Sequence, residues 1–479
     1  MSDTVQMITD LAGIVGEANV KTHADALTPY AVDEVMPAAV VFPKNTRQVS
    51  DIVKYANTEQ LSVIPRGSGS KICLGNPPKK MDILLCTTRM NHMTDVDVAN
   101  LTLTVEAGVK LLDIQARLAT EDDRCYLPLQ DLSSESKEII CSDRSHSGCF
   151  LPIDAPFGRR ATIGGIIASN SSGPRRLLYN LPRDLILGAR FVAPNGDIIG
   201  TGGKTVKNVS GYDISKLMIG SAGTLGILCE MTLRLLPLPE KMQTLVFSFE
   251  SFANAVAFCN QIHETSLLPA AVEMMNDKAY ECLKSKNMPD LKPGAYIVAV
   301  ALEAFIEAVD RMRTEIGAMA ARAERLAEAC IEQDQHSLFW LAVSELIPSV
   351  SSRCSTLVSA KLNYPISCWG EIIGYANQIM SENGLTPVLQ AHTGSGVCMM
   401  HFMLNGNASK QDIVNVLRKL LGQCKQAGGN LVIQHAPLEI KKELSVWGEP
   451  GSDLILMKQI KKALDPKGVM SPGRFVDNI

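Results

Sequence analysis

The sequence has no cysteine pair spaced as C-x-x-C, although it contains 13 cysteines among 479 residues. Structural zinc sites and iron–sulfur clusters need closely spaced cysteine ligands, so this spacing argues against both. The odd count and the scattered positions also argue against a disulfide framework. We therefore expect a cytoplasmic protein.

A long apolar run and a surplus of positive charge are missing as well. Nowhere do 18 apolar residues follow one another, and the start MSDTVQMITDLAG has no basic stretch, so the sequence predicts neither a membrane span nor a signal peptide. Lys and Arg number 46 against 50 Asp and Glu, with no basic block that could neutralise a run of phosphates. We expect no nucleic-acid partner, and membrane association only through another protein.

What is present is typical of a globular protein of several domains. The chain is 46% hydrophobic and 20% charged, and it is too long for one core. The first 35 residues have a helical pattern. AAVVFP, NTRQVSDIVKYANTEQL and SVIP then predict a strand, an amphipathic helix and a strand, and further strands are predicted at 82–87 and 100–109, with β-like runs from 150 to 236.

The composition shifts after the prolines of LLPLPE. QTLVFSF and AYIVAVAL predict strands, FANAVAFCNQIHE predicts a helix, and residues 305–330 have the pattern of a longer helix. This alternation indicates a second α+β domain of roughly 200 residues.

Glycine clusters mark three candidate binding segments. In PRGSGSK (65–71), two glycines around one small residue let backbone N–H groups converge on an anion such as a pyrophosphate; a plain glycine-rich turn is the alternative. The G-x-G-x-x-G spacing and a following helix are missing, so no nicotinamide site is predicted. The small residues at 151–173 and 201–227 would let a flat ring system lie against the main chain. Glycine-rich loops that cover core helices are the alternative interpretation.

In this order and spacing, the segments resemble the FAD-linked oxidase superfamily, whose FAD domain is shared with vanillyl-alcohol oxidase and p-cresol methylhydroxylase. The likeness extends from FPKNTRQVSDIV through PRGSGS, IDAP, TIGG and GYD to the terminal DPKGVMSPGR, and it is nearest to the glycolate oxidase and D-lactate dehydrogenase branch. It implies an α+β protein with a p-cresol methylhydroxylase-type (PCMH-type) FAD-binding domain of two subdomains at 36–240 and an α+β cap at 241–440. An N-terminal helical segment (1–35) precedes them, and a C-terminal segment (441–479) returns to the FAD domain.

The resemblance also implies which residues bind FAD. In the first turn, the pyrophosphate would be held by Arg66, Gly67, Ser68, Gly69 and Ser70. In the second cluster, the flavin would be flanked by Asp154, Thr162, Gly164, Gly165 and Asn170. The adenine end would be met by Gly226 and Ile227. Family members with covalently bound flavin usually carry a histidine in the first turn. Serines stand there in this sequence, so we predict dissociable FAD.

The family's metal site is altered in this sequence. Its pattern H-A-G-D-G-N-L-H reads HTGSGVCM here, so His392 matches and Met399 replaces the second histidine. Its later G-E-H-G reads IQHA, so Gln434 replaces the glutamate and His435 matches. If 392–403 includes a strand, His401 lies on the same face as Met399. We predict no metal centre, with the three histidines as the remaining candidate ligands.

Two functions follow from the resemblance. In the first, cationic side chains such as Arg353 hold a small D-2-hydroxyacid of the glycolate or D-lactate class, His435 removes its hydroxyl proton with His392 nearby, and hydride passes to the flavin. An iron–sulfur subunit or an electron-transferring flavoprotein would then take the electrons. In the second, the chain is a non-catalytic FAD-binding accessory subunit of a glycolate oxidase-like complex. His435 is equally compatible with a hydrogen-bonded core histidine.

One segment is peculiar to this chain. Residues 122–149 form an insertion in the predicted FAD domain, and they include Cys125, Cys141 and Cys149. A structureless connection of this length is uncommon. We expect it to dock a partner.

Overall fold

The computed structural model describes residues 2–120, 148–204, 211–283, 289, 291–292, 294–354, 356–404 and 409–479. The predicted insertion, with Cys125 and Cys141, therefore lies outside the described residues except for its last two positions. Cys149 is buried in a short strand.

The N-terminal domain contains two α+β subdomains, as predicted. One sheet has the strand order β1-β2-β4-β3 and the other β5-β6-β10-β8-β9, while β7 and β11 form a separate pair. Its strands are β1 (Val20–Lys21), β2 (Ala39–Val41), β3 (Val63–Arg66), β4 (Ile83–Cys86), β5 (Met93–Asp97), β6 (Thr102–Glu106), β7 (Cys149–Phe150), β8 (Ile186–Val192), β9 (Ile198–Gly202), β10 (Ile227–Arg234) and β11 (Leu236–Pro237). Its helices are α1 (Ser2–Val15), α2 (Ala24–Leu27), α3 (Thr46–Glu59), α4 (Leu111–Ala119), α5 (Ile163–Ala168), α6 (Arg176–Tyr179), α7 (Pro182–Leu185) and α8 (Ile214–Met218).

The predicted strand–helix–strand unit is confirmed. Helix α3 begins at the Asn45 side chain, whose Oδ1 accepts a hydrogen bond from the N–H of Gln48 at 2.9 Å. The apolar face that the sequence predicts for this helix is fully buried. Strands β2 and β3 both run parallel to β4, which lies between them.

The cap is built on one eight-stranded antiparallel sheet of order β15-β12-β14-β13-β17-β18-β16-β19. Its strands are β12 (Lys241–Phe249), β13 (Ala271–Asn276), β14 (Tyr296–Ala304), β15 (Ala327–Glu332), β16 (Leu357–Asn363), β17 (Val388–His392), β18 (Val397–Met403) and β19 (Asn430–His435). The helices of the second half are α9 (Phe252–His263), α10 (Asp277–Leu283), α11 (Ile306–Arg322), α12 (Gln333–Ser344), α13 (Leu346–Ser351), α14 (Trp369–Glu382), α15 (Lys410–Gln426), α16 (Leu438–Glu443) and α17 (Leu454–Leu464).

The two faces of the cap sheet have different neighbours. One face packs on α9, α11, α14 and α15 in a large apolar core. The other packs on α10, α12 and α13, and its core includes Phe150 and Tyr179 of the N-terminal domain. This second face therefore looks toward the N-terminal domain.

One predicted helix is too long, and one predicted strand-like run is partly helical. The helix predicted at 305–330 ends at Arg322, because Glu324 has a left-handed φ of 56° and the chain then forms edge strand β15 along β12. Part of the β-like run at 162–173 is the short helix α5. A short apolar run does not distinguish helix from strand by periodicity, so tertiary packing decided the second case.

The C-terminal segment packs against the first sheet. Met470 bridges to Val63 of β3, and the N–H of Ser471 donates to the Val63 carbonyl at 2.9 Å. Lys441 is buried and donates to both carboxylate oxygens of Asp33 at 2.8 Å. Within the described ranges, no helix is both long and apolar enough to span a bilayer.

Candidate active site

An open cavity, the first cavity, is bordered by both sheets of the N-terminal domain. Its walls are the turn after β3, the start of α5 and the segment entering β10. All the predicted FAD-binding residues except two line it: Arg66, Gly67, Ser68, Gly69, Ser70, Thr162, Gly164, Gly165, Gly226 and Ile227. The three glycine clusters, distant in sequence, thus form one groove.

Close approach of backbone explains the glycines of the first turn. A Cβ on Gly67 would lie 2.0 Å from the Oγ1 of Thr162, so the turn and the start of α5 can meet only if residue 67 has no side chain. Gly69 has a φ of +83°, which side chains disfavour. The bare backbone of the turn therefore remains available to a ligand in the groove.

Unpaired polar atoms in the wall of the first cavity indicate that a ligand there must supply hydrogen-bonding groups. The hydroxyls of Ser68, Thr162 and Ser171 are buried and have no hydrogen-bond partner among the described residues. Buried polar groups are nearly always paired in folded proteins. The polar edge and phosphates of a nucleotide-flavin would supply these partners, so the residues of the groove fit FAD.

The two remaining predicted FAD ligands lie elsewhere. The Asp154 carboxylate accepts hydrogen bonds from the N–H groups of Gly173 and Arg175, both at 2.8 Å. It therefore shapes the loop that leads into α6 and is not part of the wall of the first cavity. Asn170 lines a second, neighbouring cavity, and the described residues supply no hydrogen-bond partner for its buried Oδ1.

The second cavity lies between the N-terminal domain and the cap sheet. Lys71, Leu74, Pro156, Ser169 and Ser171 line both cavities, which therefore adjoin. From the cap, the strands β16 to β19 contribute Lys361, Gln390, His392, Met399, Val432 and Gln434. A small molecule in this space would lie next to the occupant of the first cavity.

Three cations converge on the second cavity: Lys71, Arg176 and Lys361. Burial lowers the pKa of Lys361 to about 7, with further contributions from the charges of Arg176 and Lys71. Burial and the charge of Arg176 likewise lower the pKa of Lys71 to about 8. No Asp or Glu is among the described residues lining this cavity. The space therefore favours an anion.

A histidine with a buried carboxylate partner completes the wall. Glu273 of β13 faces His392 of β17 across the sheet, and the His392 Nδ1 lies 2.6 Å from the Glu273 Oε2. Nδ1 of His392 is therefore engaged by Glu273, and Nε2 is the ring nitrogen that remains for a ligand in the second cavity. Both side chains are buried.

The structure does not bring the other predicted catalytic residues to either cavity. Arg353 is exposed and donates to the carbonyls of Glu281 and Cys282, because it belongs to the loop between α13 and β16. His435 is half-buried beside a bulge where β19 pairs with Ser359, and its neighbour Gln434 lines the second cavity instead. Burial and the charge of Lys441 lower the pKa of His435.

The residues present do not fit the metal site of the family pattern. His401 lies on the same face as Met399, as predicted, but it is fully buried, its Nδ1 lies 2.9 Å from the Ser359 hydroxyl, and burial lowers its pKa to about 4. In the part of the chain that the structure describes, no three His, Cys, Asp or Glu side chains are grouped so that they could hold a metal ion.

Sequence reasoning missed Lys71, Arg176 and Glu273, and it left Lys361 unassigned. Lys71 closes the PRGSGSK motif, so its position was a usable signal. Arg176 and Glu273 stand in no motif, and their role depends on how the cap packs on the N-terminal domain. Lys361 required the strand register, which the sequence did not fix.

A buried network fixes α6, and with it Arg176, against the cap. Glu303 of β14 accepts from the Nε of Arg175 at 2.9 Å and from the hydroxyl of Tyr179 at 2.6 Å, and the Arg175 Nη2 also donates to it. The Nε2 of His336 lies 3.2 Å from the same carboxylate. Burial would raise the pKa of Glu303, but Arg175 and His336 outweigh it and hold that pKa well below its usual range.

We expect Glu303→Gln to lower the free energy of unfolding by about 3 kcal/mol, because the buried guanidinium of Arg175 loses its counter-ion. It should also weaken anion binding in the second cavity through the neighbouring Arg176. Thermal unfolding and an anion titration measure the two effects. The control is Glu307→Gln, at an exposed position nearby; equal stability of the two variants would contradict this role of Glu303.

The geometry defines a two-domain protein in which a groove that fits FAD adjoins a cavity lined by the cap sheet, and the comparisons with known proteins agree. An FAD binding domain model matches residues 37–130 and 144–202. A model of the C-terminal domain of FAD linked oxidases matches residues 238–475. The chain belongs to the FAD-linked oxidase superfamily, and it is an FAD-dependent oxidoreductase. The predicted family, fold class and cofactor are confirmed.

Relatives of similar length agree with this assignment. The glycolate oxidase subunit GlcD of Bacillus subtilis is 27% identical, over 92% of this chain and 89% of its own. The D-lactate dehydrogenase of Archaeoglobus fulgidus is 29% identical over 91% of both chains. A D-2-hydroxyglutarate dehydrogenase of Xanthomonas citri pv. viticola is 26% identical over 92% and 89%. The fold resembles a p-cresol methylhydroxylase structure with a TM-score of 0.75, at 15% identity over 99% and 97% of the two chains.

Proposed function

We propose that this chain oxidises a small D-2-hydroxyacid and passes the electrons to a partner protein. The observation that carries the proposal is the cluster of Lys71, Arg176 and Lys361 around a cavity that adjoins the groove for FAD. A carboxylate is the anion that all 2-hydroxyacids share. The named relatives, which include a D-lactate dehydrogenase and a glycolate oxidase subunit, support the same substrate class.

The chain's own residues would bind the acid and take its proton. The cations hold the carboxylate, and charge-assisted hydrogen bonds orient the α-carbon toward the first cavity. His392 accepts the hydroxyl proton at Nε2, and Glu273 stabilises the imidazolium that results. FAD, when bound, supplies the acceptor for the hydride of the α-carbon.

An accessory role is the second candidate. Met399 and Gln434 stand where the family pattern has two metal ligands, and such losses are expected of a subunit that no longer catalyses. In that case the chain would bind FAD and support a catalytic partner.

An anaerobic titration of the purified chain separates the two candidates. We expect glycolate, D-lactate or D-2-hydroxyglutarate to bleach the visible absorbance of the bound flavin. Propane-1,2-diol has the same hydroxyl but no carboxylate, so it should not. If every acid leaves the flavin oxidised and only a reconstituted complex reacts, the accessory role is correct.

The two lysines predict a pH dependence of anion binding. The pKa values of about 7 for Lys361 and about 8 for Lys71 mean that both are charged in mildly acidic solution and neutral in alkaline solution. Arg176 stays charged, and Glu273 pairs with His392. We expect the affinity for oxalate to fall by more than about tenfold between about pH 6 and pH 9, since each ammonium contributes a charged hydrogen bond.

Isothermal titration of the flavoprotein with oxalate measures this fall. The variant Lys361→Arg keeps its charge throughout and should lose a large part of the dependence. A pH-independent affinity in the wild-type protein would contradict the assignment of the lysines to the anion site.

A further inference from the structure

We propose that the ammonium group of Lys361, together with Lys71 and Arg176, takes the place of the divalent metal ion that the family pattern implies. The second cavity would then bind its 2-hydroxyacid without a metal. This inference rests on the proposed function for the identity of the substrate, but its binding step can be tested without turnover.

The strand register places Lys361 between the two altered positions. In the cap sheet, β16 lies between β18 and β19. Lys361 is the direct partner of Met399 on β18 and of Val432 on β19. Gln434 follows two residues after Val432, and all four line the second cavity. Lys361 therefore lies on the strand between the two strands that carry Met399 and Gln434.

The remaining side chains make a poor ligand set for a divalent ion. The thioether of Met399 is a soft ligand, and the amide of Gln434 carries no charge. His392 already uses Nδ1 toward Glu273, which leaves one nitrogen. His401 is in contact with Ser359 and is not among the residues lining the cavity.

The charges around the second cavity also disfavour a divalent cation. Three cationic side chains and, among the described residues, no carboxylate line the second cavity. A dication would be repelled there, whereas a carboxylate would be attracted. Neither the Nζ of Lys71 nor that of Lys361 has a hydrogen-bond partner that the described residues supply, so both can donate to a bound anion.

The exchange has a chemical consequence. Ammonium groups can neutralise and orient a carboxylate as a metal does, because they provide both charge and hydrogen bonds. Removal of the hydroxyl proton would then depend on the His392 and Glu273 pair. The substitution of side-chain cations for a metal would thus account both for the altered ligand positions and for the three cationic side chains that line the second cavity.

The test uses the purified flavoprotein and oxalate, a dianion that has no α-hydrogen to transfer to a flavin. We expect metal analysis to find no stoichiometric transition metal. Prolonged dialysis against EDTA should leave the oxalate affinity unchanged. The variant Lys361→Met should lower that affinity by more than about tenfold, Lys361→Arg should retain most of it, and the exposed Lys442→Met should match the wild type.

One bound metal per chain, whose removal abolishes oxalate binding, would overturn the inference; so would wild-type affinity in Lys361→Met. The metal content and the effect of EDTA are measured on the wild-type protein. They therefore test whether binding needs a metal even if a variant fails to fold. If oxalate binding is independent of metal and requires Lys361, but no hydroxyacid reduces the flavin, the anion site stands and the proposed function fails.

Discussion

His392→Asn should slow the reduction of the bound flavin by a 2-hydroxyacid by about 10²- to 10⁴-fold, the usual contribution of a general base. The side chain keeps a similar size but loses the nitrogen that accepts the proton. The FAD content should stay near that of the wild type, because His392 lines the second cavity and not the first. Anaerobic stopped-flow absorbance measures the rate constant.

The same substitution at His435 tests the alternative that the sequence suggested. His435 matches the family pattern but does not line either cavity. We expect His435→Asn to change the rate constant only a few-fold, within the range of indirect effects. A large loss in His435→Asn together with a small one in His392→Asn would reverse the assignment of the base.

Gly67→Ala should weaken FAD binding by about ten- to a hundredfold. The new Cβ would lie 2.0 Å from the Oγ1 of Thr162, so the turn must move away from α5, and overpacking of this kind costs about 1 to 3 kcal/mol. Because both segments line the first cavity, the displacement widens the groove. Quenching of flavin fluorescence on binding to the apoprotein gives the dissociation constant.

A matched control is Gly13→Ala in α1, where a Cβ would have no neighbour within 4 Å. This variant should bind FAD as the wild type does. If Gly67→Ala binds FAD equally well, the turn is not in contact with the cofactor in the way we infer.

Local sequence patterns predicted those helices, strands and turns whose conformation depends on neighbouring residues. The α3 helix followed from the spacing of its apolar residues, and the Asn45 cap was found only in the structure. The glycine clusters marked candidate binding segments, while FAD as their ligand was implied only by the family resemblance. The resemblance to a family then ordered these segments around one cofactor.

The second cavity could not be predicted in the same way. Lys71, Arg176, Lys361 and His392 come from four separate segments, and they meet only because β16 to β19 pair in one register and α6 docks on the cap. The family resemblance suggested Arg353, yet the chain turns there and directs its side chain to the carbonyls of Glu281 and Cys282 in α10. Chemistry that arises from packing between domains leaves little trace in a single sequence.

The most direct measurement of the central claim is product analysis of a single turnover. The oxidised flavoprotein is mixed anaerobically with D-lactate, glycolate or D-2-hydroxyglutarate, and the 2-oxoacid is quantified against the flavin reduced. We expect one 2-oxoacid for each flavin with at least one of these acids. Flavin that remains oxidised with all three, or that is reduced without an oxoacid appearing, would contradict the account.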